Sequence, residues 1–280
     1  MSGILTIDIG NTHTHFALVE SARDPHLAPQ EFPTVRSTGE ASAYATTLAP
    51  RLARADGIAY ASVVPTANEP LETFLREEAP SLPVFQLTAP NVPPPVKISY
   101  PRPAEIGQDR LANAVAATAL HPLPAVVIDL GTAVTFDIIT AENGYEGGII
   151  APGVRVMTEF LHRQTALLPL LEEPLQAEEI IGTSTRQAMT IGCVIGFRGL
   201  IHALLEEIAN ELASRQTPLR SLIFTGGTGF LFRPGAEGLN FFRSDTVSSL
   251  KAASIEVDPA ITLRGLYLAS PLTSFAFSRD

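Results

Sequence analysis

The stretch ILTIDIGNTHTHFALVE runs from Ile4 to Glu20 and joins two β-rich runs through a tight turn. Asp8 lies near the end of the first run, and the turn is Gly10-Asn11-Thr12. The same design returns in AVVIDLGTAVTFDIIT, from Ala125 to Thr140. Two such hairpins at a domain-sized separation predict a duplicated α/β fold, with both hairpins facing one cleft. The matching positions in the second copy are Asp129, Gly131 and Thr132.

Glycine turns of this kind suit phosphate binding. Glycine lets the backbone approach a ligand closely, and successive backbone N–H groups form small anion-binding concavities. The side chains of Asn11, Thr12 and Thr132 can add hydrogen-bond donors. A carboxylate beside each turn would repel phosphate, so the arrangement implies a cation such as Mg²⁺, which binds carboxylates together with phosphate oxygens. The alternative is an ordinary hairpin in which Asp caps its own turn; the repeat favours the phosphate site.

Length and composition limit the possible classes of protein. The chain has 280 residues, which predicts two domains, placed here at 1–118 and 119–280. A hydrophobic content of 45% with 17% charged residues is typical of a globular protein. The formal net charge of −10 argues against a nucleic-acid partner, which requires a basic surface. Cys193 is the single cysteine, so no intrachain disulfide forms, and its apolar helical context favours packing over nucleophilic chemistry.

The chain carries no obvious targeting or membrane signal. We find no apolar run of the length that a membrane span needs, so we expect no membrane partner. The N-terminal residues lead directly into a strand, without the basic region and cleavage site of a signal peptide. We therefore expect a soluble, cytoplasmic protein.

Hydrophobic periodicity and proline positions predict the remaining elements. In the first half we expect an interrupted helix, a buried strand, a short helix and a further strand, at Glu40–Arg54, Gly57–Val64, Asn68–Glu78 and Pro83–Leu87. In the second half we expect a strand at Tyr145–Gly153, a strand at Leu222–Thr225, and helices at Val154–Ala166 and Ile261–Ala269. Between them, Ile180–Thr185 leads into a long helix that ends at about Ala213. The spacing of Gly192, Gly196 and Gly199 within the long helix suggests close helix packing.

Two segments have both a structural and a functional interpretation. Pro90–Pro103 is too rich in proline for a helix or a central strand. It is either a stiff surface linker or a rigid loop that presents Tyr100 to a ligand. Gly107–Arg110 precedes an alanine-rich helix, so Asp109 either complements the helix dipole or places a carboxylate at the lip of a cleft.

Other motifs in the sequence are weak evidence for function. Neither a Walker loop nor a Rossmann fingerprint occurs. His13 and His15 share a strand face without an evident third ligand, so a solvated face is a better interpretation than a metal site. Gly226-Gly227 after a short strand is either a plain turn or a place where a base or ribose lies against the backbone.

Several motifs in a fixed order carry a resemblance to a known family. They are IDIGNT, PAEIGQDRLANAVAA, VIDLGTAVTFD, GYEGGIIAPG, QTALLP, IGTST followed by AM, IFTGG and VDPAITLRGL, between about Ile4 and Leu266. In this order the chain resembles type III pantothenate kinases. The resemblance implies the acetate-and-sugar-kinase, chaperone and actin superfamily. Its members have duplicated ribonuclease H-like domains with an interdomain active-site cleft, which agrees with the hairpin repeat.

The resemblance also implies roles for individual residues. Asp109 would be the catalytic proton acceptor, Asp8 would lie near the Mg²⁺ of ATP, and Asp129 near a monovalent cation, K⁺ or NH₄⁺. The implied ATP contacts are Asp8, Gly10, Asn11, Thr12, His13, Thr14, His15 and Thr132. The implied pantothenate contacts are Tyr100, Gly107, Gln108, Asp109, Arg110 and Thr185, the last close to the site in a homodimer. Gln108 departs from the family, where we expect a small residue, and this could alter the packing of the substrate loop.

The activity implied by the resemblance is transfer of the γ-phosphoryl group of ATP to pantothenate, the first step of coenzyme A biosynthesis. Asp109 would accept the hydroxyl proton late in the reaction, so that a carboxylate with an ordinary pKa serves. Two alternatives remain: a non-catalytic nucleotide-binding regulator, and another phosphotransferase or ATPase on the same fold. The side chains at all proposed chemical positions are suitable, which favours the enzyme.

Overall fold

A computed structural model of the chain describes residues 3–40, 42–171, 175, 177, 180–227 and 253–273. The described residues divide into two compact units. The first unit comprises residues 3–127, 137–147 and 258–273, and the second comprises residues 128–136 and those from 148 to 257. The domain boundary between residues 118 and 119 stays a prediction, and both predicted domains include residues outside the described ones.

The first sheet has five strands in the order β3-β2-β1-β4-β5. Strands β1 and β2 form the predicted antiparallel hairpin, and β3 continues it on the outer side. Strand β4 runs parallel to β1, and β5 runs parallel to β4. The five strands are β1 (Gly3–Ile9), β2 (His13–Val19), β3 (Gln30–Pro33), β4 (Ala55–Ser62) and β5 (Val84–Gln86).

The second sheet repeats the order of the first. Its strand order is β10-β9-β6-β7-β8, so that β6 to β10 take the places of β1 to β5. The bounds are β6 (Ala125–Leu130), β7 (Ala133–Thr140), β8 (Gly144–Pro152), β9 (Ser221–Thr225) and β10 (Ser254–Val257). This repeat confirms the duplicated α/β fold that the two hairpin sequences predict.

The helices lie close to the predicted segments. Pro50 lies in the first turn of α2, where its missing N–H costs nothing, and the break in the helical segment falls there as predicted. Helix α3 begins at Pro65, three residues before its predicted start. The helices are α1 (Ser42–Thr47), α2 (Ala49–Leu52), α3 (Pro65–Glu78), α4 (Gln108–Leu120), α5 (Val154–Gln164), α6 (Thr185–Ser214) and α7 (Ile261–Ala269).

The core of the first unit combines strand β1 with a row of aromatic rings. Phe16, Phe32, Tyr44 and Phe74 follow one another at centroid distances of 5.7, 5.7 and 5.4 Å. Ring contacts of this kind stabilise a core beyond the area they bury. Helices α4 and α7 pack against each other, and α7 also contacts β1. This packing holds the first turn of α4, which carries the predicted substrate segment, on a rigid support.

Helix α6 corrects two predictions. By length and composition alone it could cross a membrane, so the expectation that no such segment exists is wrong. A core helix of a soluble protein passes the same test, and one face of α6 is buried. The predicted packing against its glycines is also wrong within the described residues, because a side chain at Gly192, Gly196 or Gly199 would meet nothing nearby. The buried face is instead formed by Met189, Cys193, Val194, Phe197, Ile201, Leu205, Ile208, Ala209 and Leu212.

Candidate active site

Each half of the repeat exposes one carboxylate at the end of a buried strand. Strand β1 is buried at every position except Asp8, and β6 is buried at every position except Asp129. Both residues stand two positions before the turn glycine. An ionised carboxylate needs water, a cation or donors around it, so these positions bring charge to the strand ends without burying it.

The first turn is supported by the segment that follows β3. The Gly10 N–H donates to the His13 carbonyl at 3.1 Å, which closes the turn. Thr34 Oγ1 donates to the Gly10 carbonyl at 2.7 Å, and its N–H donates to the Thr12 carbonyl at 3.1 Å. Arg36 donates from Nη2 to the carbonyl of Asn11, which adds a cation at the same turn. Sequence reasoning missed both Thr34 and Arg36, because nothing local shows that this segment returns to the turn.

The histidines after the first turn have a partner in the sheet. His15 Nε2 lies 2.9 Å from Glu31 Oε2, a residue of the neighbouring strand β3. Thr14 is buried, and its hydroxyl lies 3.2 Å from that of Thr34. His13 is half-buried. This agrees with a side-chain pair on a solvated strand face, as the sequence predicts for the histidines, and Thr14 contributes support to the turn.

The second turn is packed against two glycine backbones of the second unit. The Gly131 N–H donates to the Ala133 carbonyl at 3.2 Å, and the Gly153 N–H donates to the Thr132 carbonyl at 3.0 Å. A Cβ at Gly153 would lie 2.6 Å from the Thr132 carbonyl oxygen, and only glycine allows that approach. The Thr132 side chain is exposed.

Gly226 lies against Asp129 itself. It has φ +90°, and a Cβ there would collide with Asp129 Oδ1 and lie 2.6 Å from the Leu130 nitrogen. The glycine pair after β9 therefore lies beside the second carboxylate rather than in a remote turn.

The substrate segment forms the first turn of α4. Gly107 is the residue before the helix, and Asp109 Oδ1 accepts the N–H of Arg110 at 2.8 Å. Burial raises the pKa of Asp109, while the N–H and charge of Arg110 lower it. An ordinary pKa would already serve for late proton transfer, and the upward shift makes the carboxylate a stronger proton acceptor.

Gln108 bonds to the first sheet. Its Oε1 accepts the Ser62 N–H at 2.8 Å and the Gln86 Nε2 at 3.3 Å. Ser62 ends β4 and Gln86 ends β5. The larger residue thus fills its position with hydrogen bonds that attach the substrate segment to two strand ends.

Arg110 is held by a buried carboxylate that the sequence did not single out. Asp137 of β7 is fully buried, and its Oδ1 lies 2.6 Å from Arg110 Nε. Asn113 Nδ2 donates to Asp137 Oδ2 at 3.2 Å, and Tyr145 Oη donates to Oδ1 at 3.3 Å. Burial raises the pKa of Asp137 to about 6, although Arg110 and Asn113 lower it. The available signal was an acid inside an apolar strand, since such an acid must be paired.

The proline-rich loop presents Tyr100 to this group. Ile98 forms a β-bridge with Tyr145, and the Ser99 N–H donates to the Tyr145 carbonyl at 3.0 Å. The rings of Tyr100 and Tyr145 are 6.3 Å apart, and the Arg110 guanidinium carbon lies 5.8 Å from the Tyr145 ring centre. The first unit therefore brings Tyr100 and Gly107–Arg110 together, which favours the rigid-loop interpretation over a plain linker.

Thr185 begins helix α6 in the second unit and is exposed. The Ser184 hydroxyl caps the helix by accepting the Gln187 N–H at 3.2 Å. A capped N-terminus of this kind fixes the backbone around Thr185.

Each strand end, taken by itself, offers a donor of the kind that Mg²⁺ takes when it is bound through phosphate. Among the residues that the structure describes, no group of three His, Cys, Asp or Glu side chains could hold a metal ion. Mg²⁺ commonly takes one or two carboxylates and completes its shell with phosphate oxygens and water. Asp8 in the first unit and Asp129 in the second each lie beside a backbone turn, and each is a single carboxylate of the kind that such an ion takes.

Comparison with known proteins decides the family. A family model described as type III pantothenate kinase matches residues 4–207. The chain belongs to the type III pantothenate kinase family. A type III pantothenate kinase of Akkermansia muciniphila is 38% identical over 96% of this chain and 98% of its own length. One from Methylacidiphilum infernorum is 36% identical over 95% of this chain and 87% of its own.

Solved structures show the fold of this pantothenate kinase family member. A ROK family glucokinase of Streptomyces griseus, solved with glucose and AMPPNP, superposes with a TM-score of 0.53 at 15% identity. The superposition covers 96% of this chain and 98% of that one. The resemblance to the family, the duplicated α/β fold and the assignment as an enzyme are thus confirmed. The roles of individual residues stay predictions.

Proposed function

We propose that this chain transfers the γ-phosphoryl group of ATP to pantothenate, giving 4′-phosphopantothenate for coenzyme A synthesis. Membership of the type III pantothenate kinase family supports this substrate. The observation that carries the proposal is the first turn of α4. There the Asp109 carboxylate, with its raised pKa, adjoins Arg110, and Arg110 connects through Tyr145 to Tyr100. A proton acceptor and a cation at one turn suit an alcohol acceptor that carries a carboxylate.

ATP is the proposed phosphoryl donor, and the two turns are its proposed binding segments. Gly10, Asn11, Thr12, His13, Thr14 and His15 form the first segment, and Thr132 belongs to the second. Backbone N–H groups and hydroxyls at such turns suit phosphate oxygens. The Arg36 guanidinium at the Asn11 carbonyl adds positive charge there. Mg²⁺ bound with ATP, near Asp8, would neutralise phosphate charge.

Asp129 is the proposed partner of a monovalent cation, K⁺ or NH₄⁺. Its carboxylate lies beside the backbone of Gly226 and the end of β6. A carboxylate and nearby backbone oxygens are hard ligands that suit such an ion. The cation would offset negative charge near the second turn.

Asp109 is the proposed proton acceptor. Phosphoryl transfer passes through a loose transition state, so positioning and charge neutralisation contribute most of the catalysis. The carboxylate takes the proton of the pantothenate hydroxyl as that oxygen becomes acidic. Its raised pKa improves this step, and general base catalysis contributes about 10²- to 10⁴-fold. Tyr100, Gly107, Gln108 and Arg110 would hold pantothenate against Asp109.

We also propose a homodimer in the cytoplasm. The second unit exposes large apolar side chains, with Leu167 91% and Ile181 75% exposed. Apolar surface on this scale marks an interaction site in soluble proteins. A second copy that covers this surface would lie near Thr185, the proposed substrate contact. Further exposed apolar residues of this unit are Ile150, Phe160, Leu170, Ile180 and Ile195.

The decisive assay incubates pure protein with ATP, Mg²⁺ and K⁺, with and without pantothenate, and measures ADP. The proposal predicts ADP release that depends on pantothenate. Hydrolysis independent of pantothenate would indicate an ATPase. Tight ATP binding without turnover would indicate a regulator, and either result would overturn the proposal.

A further inference from the structure

The Arg110–Asp137 pair differs from an ordinary buried ion pair in where it lies. Arg110 is the charged residue of the proposed substrate segment, and its side chain is only 13% exposed. Asp137 is fully buried on β7 and reaches the Nε edge of the guanidinium. The Nε contact orients the planar group relative to the Asp137 carboxylate, because a guanidinium carries its donors in a fixed fork.

Asp137 is itself fixed from three sides. Asn113 Nδ2 donates to Asp137 Oδ2, and Asn113 Oδ1 accepts the Thr262 hydroxyl at 2.9 Å, which connects α4 to α7. Tyr145 donates to Oδ1 from β8. Burial lowers the pKa of Arg110, but the Asp137 charge, together with Tyr145, the hydrogen bond to Asp137 and the Asp109 charge, raises it above its ordinary value. The network therefore keeps Arg110 charged and allows it little rotational freedom.

We propose that Asp137 is a positioning residue for pantothenate, which acts by fixing the Arg110 guanidinium beside the Asp109 carboxylate. Tyr145 assists, since its hydroxyl bonds to Asp137 while its ring faces Arg110 and Tyr100. The inference rests on the proposed function, because it assumes that pantothenate meets the substrate segment. A guanidinium already oriented by a buried acid binds an anionic substrate without losing further side-chain entropy.

The chain contains a matched control for a purely structural ion pair. Asp258 Oδ2 lies 2.8 Å from Arg264 Nε, and both side chains are nearly buried in the same unit. Arg264 Nη1 donates to the carbonyls of Ala22 and Asp24, so this pair attaches α7 to a loop. Loss of either acid leaves a buried guanidinium without its carboxylate, which lowers stability in both cases.

The test is steady-state kinetics of Asp137→Asn, with Asp258→Asn as control. Asparagine keeps the shape and one oxygen acceptor but removes the charge. Charge-assisted hydrogen bonds are stronger than neutral ones, so we expect the KM for pantothenate to rise about 10- to 100-fold. The KM for ATP should stay within about twofold of the wild-type value. Asp258→Asn should lower Tm while leaving both KM values unchanged.

A double-mutant cycle separates positioning from general damage. If Asp137 acts through Arg110, Asp137→Asn in an Arg110→Gln background should add little to the pantothenate KM. Tyr145→Phe, which keeps the ring, should raise that KM in the same direction by a smaller factor. It also serves as the readout if Asp137→Asn does not fold.

The outcomes distinguish this inference from the proposed function. A wild-type enzyme without pantothenate-dependent turnover would reject the proposed function itself. An active wild type with an unchanged pantothenate KM in Asp137→Asn, or in Tyr145→Phe where the first does not fold, would overturn the positioning role alone. Additive effects of Asp137→Asn and Arg110→Gln would overturn it as well.

Discussion

At the scale of single residues, the first turn of α4 depends on side chains that connect it to other elements. Gln108 bonds to two strand ends, and Arg110 bonds to an acid on β7. Neither contact involves the backbone ladder of the helix. Mutation of these side chains should therefore change the orientation of the segment while the helix itself stays folded.

Replacing Gln108 with Ala should loosen the substrate segment. The change removes the acceptor of the Ser62 N–H and of Gln86 Nε2. A neutral hydrogen bond contributes about 0.5–1.5 kcal/mol, so we expect a rise of roughly two- to tenfold in the pantothenate KM. Initial rates at varied pantothenate measure it. Gln30→Ala truncates another glutamine, on β3, and should leave the pantothenate KM unchanged. Equal changes in this KM for both variants would contradict the account.

The pKa of Asp137 predicts a pH dependence of stability. Burial raises that pKa to about 6, whereas an unfolded aspartate titrates near about 3.9. Arg110 of α4 lowers the folded pKa, and the Asp109 charge raises it. Tyr145, from β8, donates its hydroxyl. Between these values the folded protein keeps a proton that the unfolded chain releases, so stability falls as pH rises.

Asp137→Asn removes the contribution of this carboxyl group to the pH dependence of stability. Urea unfolding at pH values of about 4 and about 6.5 should show the wild type losing free energy of unfolding relative to the variant as pH rises. The free energy of unfolding of the variant should lack the part of the pH dependence that Asp137 contributes. Parallel curves for the two proteins would contradict the assignment of a raised pKa to Asp137.

Local patterns explain why part of the site was predictable. A glycine turn after a buried strand is a feature of a few adjacent residues, so Asp8, Asp129 and the hairpins follow from the sequence. Thr34 and Arg36 were missed because their contacts with the first turn span more than twenty residues. Asp137 was missed because its partners Arg110 and Asn113 on α4 are also more than twenty residues away, so the acid inside the apolar strand was the single local signal.

At the scale of elements, the end of β9 and the end of β6 depend on close backbone contact. Gly226 has φ +90°, and a side chain there would meet Asp129 and the Leu130 nitrogen. Gly227 is a natural comparison, since a Cβ there meets no atom of the described residues within 4 Å. The two neighbours should therefore respond very differently to the same substitution.

Gly226→Ala should displace the Asp129 carboxylate. The strained backbone and the collision cost about 1–3 kcal/mol. A loss of that size in transition-state stabilisation is a fall of about 5- to 150-fold in kcat/KM for ATP. The K⁺ concentration that gives half-maximal activity should also rise, because the displaced carboxylate is the proposed ligand of the ion. Gly227→Ala should retain wild-type values. Equal activities for the two variants would remove Gly226 from the site.

The element order was largely predicted, and α6 lies close to its predicted bounds, but β3 and β10 were not identified as strands. Strands and helices with strong periodicity fall where the sequence places them, as β4, α4 and α7 do. The glycines of α6 resemble a helix-packing stripe, yet the buried face lies elsewhere on the helix. Spacing alone identifies a face of small residues but does not show whether anything covers it.

At the scale of the whole molecule, the exposed apolar residues of the second unit bear on the proposed homodimer. Replacing Leu167 and Ile181 together with Glu places charge on that surface, where burial against a second copy would be costly. We expect the wild type to sediment as a dimer and the double variant as a monomer. Val84→Glu, at an exposed apolar position of the first unit, should remain dimeric. A monomeric wild type would contradict the proposal.

The most direct test of the central claim is detection of the product. Pantothenate is incubated with ATP, Mg²⁺, K⁺ and either the wild type or Asp109→Asn, and mass spectrometry follows the formation of phosphopantothenate. The account predicts phosphopantothenate with the wild type, and a rate about 10²- to 10⁴-fold lower for a folded variant that still binds ATP. Absence of the product with the wild type, or comparable rates for the two proteins, would contradict it.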